Sequence, residues 1–216
     1  MNSLRIMVRT AVALVLALAV GGAVSASAHD SDGHVPGHEG GNAKAAPVQN
    51  DASAAVTLHD LELVDEKGEP VRFVTDALEN RIVAIDFVYT TCTTACPVLS
   101  SVFSLVQAEL GDRAGKDVWL VSMSIDPVRD TPRRMAEYGR KFDAGEGWIW
   151  LTGEKSSVDR VLSGLGAYTP EIVDHPPMVL IGDAKRGVWR RLFGFPAPEE
   201  ILAHIDALAA ERAASH

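Results

Sequence analysis

The run Ile82-Val83-Ala84-Ile85-Asp86-Phe87-Val88-Tyr89 is almost continuously apolar and leads through Thr90-Thr91 into Cys92-Thr93-Thr94-Ala95-Cys96-Pro97. A short apolar run of this kind is expected to be a central strand covered on both faces. Beyond it, Leu99, Val102, Val106 and Leu110 recur at helical spacing, so Pro97–Leu110 is expected to be a helix with Pro97 at its first position. A doubly covered strand feeding directly into a helix requires a layered α/β fold. It also puts both cysteines of the chain on the connecting loop.

The other segments agree with that class. Leu58–Val64 and Val71–Val74 flank a turn at Asp65–Pro70 and predict an N-terminal β-hairpin. Val118–Ile125, Trp148–Leu151, Met178–Gly182 and Val188–Phe193 read as strands. Thr131–Phe142, Ser156–Gly164 and Ala197–Ala210 read as helices.

Two segments precede this domain. Arg5 and Arg9, the apolar run Ala11–Val20 and the small residues ending in Ala26-Ser27-Ala28 match a secretory signal peptide, with cleavage expected after Ala28. The alternative is an uncleaved membrane anchor, but Met7–Val24 reaches spanning length only by including Arg9, Thr10 and a Gly-Gly pair. With no cysteine near the cleavage site, no lipoprotein anchor is expected. Residues 29–55 are rich in Gly, Asp, His and Ala and poor in large apolar residues, a composition expected to stay disordered. Residues 56–216 then form the folded domain, exported to the periplasm. The chain carries 29 acidic against 20 basic side chains, net −9. Without a basic cluster, this argues against a nucleic-acid partner.

Two cysteines exclude a disulfide-dense scaffold and a four-cysteine zinc site. Three readings remain for the pair: a structural staple, metal ligation and thiol redox chemistry. A disulfide closing so short a loop would contribute only about 2 kcal/mol, which disfavours the staple. Placing Cys96 at the helix N-cap would lower its thiol pKa through the free N–H groups of the first turn. Cysteine usage alone does not separate metal from redox.

Taken with Ser124-Ile125-Asp126-Pro127-Val128-Arg129-Asp130-Thr131-Pro132 and Asp174-His175-Pro176-Pro177, the cysteine loop resembles the Sco/SenC family of copper proteins over about Leu58–Leu208. The resemblance implies a thioredoxin-like central sheet flanked by helices. It also implies one copper site formed by Cys92, Cys96 and His175, and a metallochaperone that serves assembly of a respiratory copper centre, with an oxidase subunit as client. Two thiolates and an imidazole suit both Cu(I) and Cu(II). The alternative is a thiol-disulfide oxidoreductase acting through Cys92 and Cys96. Asp86 supports it, because a carboxylate in a buried strand six residues before Cys92 resembles the proton-accepting aspartate of thioredoxins. His29, His34 and His38 form a candidate second metal site in the tail. Asp126 and Asp130 are read as strand-end and helix-start residues, and His59 and His204 as structural or exposed.

Overall fold

The computed structural model describes residues 53–215. The signal segment 1–28 and His29, His34 and His38 lie outside the described residues. Ala54, two residues before the expected start of the folded domain, donates its backbone N–H to the Trp189 carbonyl at 2.8 Å. No helix among the described residues is long and apolar enough to cross a membrane.

Seven strands form one sheet: β1 (Glu62–Asp65), β2 (Pro70–Arg72), β3 (Ile82–Val88), β4 (Val118–Ser124), β5 (Trp148–Thr152), β6 (Met178–Asp183) and β7 (Val188–Phe193). Their order is β2-β1-β5-β4-β3-β6-β7. β3, β4 and β5 are parallel, whereas β6 and β7 return antiparallel on one side and the β1–β2 hairpin on the other. The helices are α1 (Ala95–Leu110), α2 (Pro132–Gly139), α3 (Lys155–Leu165) and α4 (Pro198–Ala214). This is the thioredoxin-like arrangement with an N-terminal hairpin that the sequence led us to expect.

β3 is buried along its whole length because alternate residues enter two cores. Ile82, Ala84 and Val88 pack with Leu99, Phe103 and Val106 of α1 and Ile201, Ile205 and Leu208 of α4. Val83, Ile85 and Phe87 pack on the other face with Val158, Val161 and Leu165 of α3. The α4 end is tied down by Arg212, whose Nε and Nη2 reach Asp183 at 2.8 and 2.6 Å.

Phe73–Leu78 is a short π-helical turn that hydrophobic periodicity did not predict. Asp60 organises its start, accepting the backbone N–H groups of Val74 and Thr75 and the Thr75 hydroxyl. Satisfying these first-turn N–H groups from a carboxylate 14 and 15 residues away outweighs an extended preference in a valine- and threonine-containing segment.

Candidate metal centre

α1 begins two residues earlier than Cys96 at the N-cap would require. Thr94 is the N-cap, Cys96 the second helical residue and Pro97 the third. Proline is tolerated there because the first-turn amides have no helical partner in any case. The shift changes which sulfur the helix N-terminus serves. The Cys96 N–H donates to Cys92 Sγ at 3.3 Å, and the Thr94 hydroxyl lies 3.9 Å from the same sulfur.

Both cysteines are buried and neither is in a disulfide. Burial pushes the Cys92 thiol up. Hydrogen bonds from the Cys96 thiol, the Cys96 and Thr94 amides and the Tyr89 hydroxyl outweigh it and bring Cys92 down to about 7. Burial raises Cys96, and serving as hydrogen-bond donor to Cys92 raises it further. The activated thiol is therefore Cys92 rather than Cys96, which corrects the expectation from the proline position. Tyr89, which sequence reasoning treated only as the end of a strand, is held up at about 12, first by its hydrogen bond to Cys92 and then by burial.

The antiparallel register of β6 on β3 brings His175 to this loop. Asp86 pairs with Val179, so the residues just before Met178 lie beside the end of β3, where the cysteine loop begins. The His175 ring stands 5.5 Å from that of Phe87. Its Nε2 is buried without a hydrogen-bond partner. Burial lowers the His175 pKa, with the backbone at Ala167 and Pro176 acting in the opposite direction, so the ring is neutral near pH 7. Cys92, Cys96 and His175 line one cavity of about 70 Å³ with Phe87, Tyr89 and Ile172. Among the described residues, no three His, Cys, Asp or Glu side chains stand close enough to hold a metal ion without rearrangement.

The donor chemistry nevertheless fits a soft metal. One activated thiol, a second thiol and an unpartnered, neutral imidazole nitrogen share an enclosed pocket, a set suited to copper in either oxidation state.

Asp130 has a larger role than starting a helix. Thr131 is the N-cap of α2 and accepts the Arg134 N–H. Asp130 is fully buried and accepts the Thr90 N–H at 3.0 Å, the Thr90 hydroxyl at 2.6 Å and the Ser124 hydroxyl at 2.7 Å, fastening the cysteine loop to the end of β4. Asp126 pairs with Arg129 at 2.9 Å. Asp130→Ala would leave three donors without their acceptor. It is expected to cost about 2–3 kcal/mol of stability, measured by urea unfolding.

Asp86 faces the α1 side of the sheet. Ser122 Oγ donates to its Oδ1 at 2.6 Å and in turn accepts the Trp148 indole N–H at 2.9 Å, while Oδ2 has no partner. Burial raises Asp86 to about 7, against the lowering effect of the Ser122 bond. The other two histidines are away from the pocket: His59 sits against Gly164 of α3, and His204 is half-buried on α4. Trp148, Trp150 and Trp189 are core residues.

A thiol pair between a central parallel strand and its helix, faced by a histidine from the antiparallel return, defines a thioredoxin-like protein with a candidate soft-metal site. The chain belongs to the SCO1/SenC family, whose model matches residues 49–210. A Stutzerimonas stutzeri protein named for copper binding is 33% identical over 106 residues, 49% of this chain and 50% of its own length. The chain thus spans about half the length of that relative. An SCO2-like protein of Rickettsia felis is 27% identical over 154 residues, covering 66% of this chain and 72% of the relative. Among solved structures, BsSco, a Sco-family cytochrome c oxidase assembly protein with a disulfide switch, matches at a TM-score of 0.62 and 18% identity. That match covers 75% of this chain and 98% of BsSco. Bradyrhizobium japonicum ScoI with copper bound matches at 0.59 and 24%, covering 72% and 99%. These structural matches establish the fold.

Proposed function

We propose that this chain is an exported metallochaperone that carries one copper ion on Cys92, Cys96 and His175 and delivers it during assembly of a respiratory copper centre, with an oxidase subunit as recipient. The observation that carries this reading is the shared pocket of the two thiols and the unpartnered His175 Nε2. The relatives' names support copper as the cargo and oxidase assembly as the setting. The signal-like segment supports export to the periplasm, where His29, His34 and His38 would offer weaker Cu(II) sites.

Metal analysis of protein isolated from the periplasm under non-reducing conditions, followed by Cu(I) competition titration of the reduced protein, tests the reading. One Cu(I) per chain is expected. Four-ligand structural zinc sites gain about 10–16 kcal/mol in all, so losing one thiolate should weaken binding on the order of a hundredfold or more. Cys92→Ser and Cys96→Ser should both show that loss. His175→Ala should impair Cu(II) more than Cu(I), which tolerates two thiolates alone. A Cys92→Ser protein with wild-type affinity would rule the site out.

The second reading is a thiol-disulfide oxidoreductase, favoured by the split between an activated Cys92 and a raised Cys96. In that case Asp86→Asn should slow thiol-disulfide exchange near neutral pH by removing a buried proton acceptor. For a copper carrier the same variant should metallate its client normally.

A further inference from the structure

Tyr89 stands one residue past the end of β3, and its half-buried ring packs against both cores. A phenyl ring would fill that space equally well. Packing therefore leaves the hydroxyl unexplained, and the hydroxyl is bonded to the Cys92 sulfur.

The local backbone puts the two side chains together. The Cys92 N–H donates to the Tyr89 carbonyl at 3.0 Å and closes a turn over residues 89–92. Asp130 holds Thr90, inside that turn, by its N–H and its hydroxyl. The backbone N–H of Tyr89 serves the other sulfur, on Cys96. One residue thus reaches both thiols, in the cavity that they share with His175.

Of the groups that donate to Cys92, the Cys96 thiol gives up its proton when Cys96 ligates a metal. The Cys96 and Thr94 amides are fixed by the start of α1, and the Thr94 hydroxyl, at 3.9 Å, is at the limit of a bond to sulfur. The Tyr89 hydroxyl is a phenol, protonated at ordinary pH, and is free to keep donating to a metal-bound sulfur. A donor on a ligating sulfur withdraws electron density from it. Cu(II) draws on that density more than Cu(I) does, so such a bond favours the reduced ion.

We propose that Tyr89 is the positioning residue of the thiol pair: its hydroxyl holds the Cys92 sulfur in the copper-free protein, stays bonded to it in the copper-loaded one, and so biases the site toward Cu(I). The bias rests on the copper reading above; the hold on the sulfur does not.

Tyr89→Phe removes one oxygen and keeps the ring. In the reduced, copper-free full chain at about pH 9, Cys92 is a thiolate and Tyr89 still a phenol. Iodoacetamide should there alkylate Cys92 about tenfold faster in the variant, since a sulfur relieved of a charged hydrogen bond is the better nucleophile. With copper bound, the variant's Cu(I)-to-Cu(II) affinity ratio should fall about tenfold, which lowers the reduction potential by about 59 mV. 3-Fluorotyrosine at position 89, a stronger donor of nearly the same shape, should move both readings the other way, which a merely structural role would not do. It also carries the test if the phenylalanine variant folds poorly. Equal alkylation rates in all three proteins would overturn the proposal, as would unchanged potentials in the copper-loaded ones. A wild-type chain that takes up no copper would overturn the copper reading and the Cu(I) bias together, and the alkylation rates would still decide the hold on Cys92.

Discussion

Between pH 8 and pH 5 the Cu(I) affinity should fall by about five orders of magnitude, with a break in slope near neutrality. Ligation needs both thiolates, so each proton they carry in the free protein must be released. Cys96 is raised by burial and by its bond to Cys92, and it stays protonated across this whole range. Its proton alone gives about tenfold per pH unit. Cys92, brought down to about 7 by its hydrogen-bond donors, is a thiolate above neutrality and a thiol below it. A second proton therefore enters below about pH 7, and the slope steepens to about a hundredfold per unit. The sign follows directly: acid weakens binding. A competition titration across pH 5 to 8 measures it. A single slope throughout would mean that the two thiols are equivalent, contrary to their hydrogen bonding, and a flat profile would mean other ligands. Copper delivered to a partner would by the same linkage be released most readily under acidic conditions.

Asp86→Asn should remove a large pH dependence of folding stability. Burial lifts the Asp86 carboxyl from 3.8 to about 7, with the Ser122 hydrogen bond acting the other way. At 1.36 kcal/mol per unit, that shift corresponds to about 4 kcal/mol between the two protonation states. The folded pKa lies above the unfolded one, so the group's favourable contribution is complete below the unfolded value and is lost as pH rises through about 7. Asparagine cannot ionise. It buries an amide next to the spot where Oδ2 already lacks a partner, so the variant should be less stable than wild type at pH 4. Toward pH 8 the stability difference should shift by about 4 kcal/mol in the variant's favour. Urea unfolding of the reduced, copper-free proteins at several pH values reads this directly. Parallel stability profiles for the two proteins would show that Asp86 is not titrating in the core.

The primary sequence determined the element order and the location of the thiols. Ile82–Val88, apolar at every position but Asp86, read as a doubly covered strand because such a run has no polar face to present to water. The recurrence of Leu99, Val106 and Leu110 fixed α1 behind it, and the position of both cysteines between the two followed. These are local properties, set by periodicity and chain connectivity, and the motifs that resemble the Sco/SenC family lie in the same segments.

What the sequence could not give came from contacts between distant residues. Which thiol is activated depended on a two-residue shift in the start of α1, within the usual uncertainty of a helix end. It turned on where the Cys96 N–H points. The part Asp130 plays in holding the cysteine loop required a bond across 40 residues to Thr90, whereas locally it looked like an ordinary helix start. His175 reached the cysteines through the antiparallel return of β6, a pairing across 93 residues between Asp86 and Val179 that no local pattern encodes. Hydrophobic periodicity records which faces are buried. Only the packed sheet decides which polar groups those faces bring together, because hydrogen bonds and pKa shifts depend on distances of a few ångströms between residues far apart in the chain.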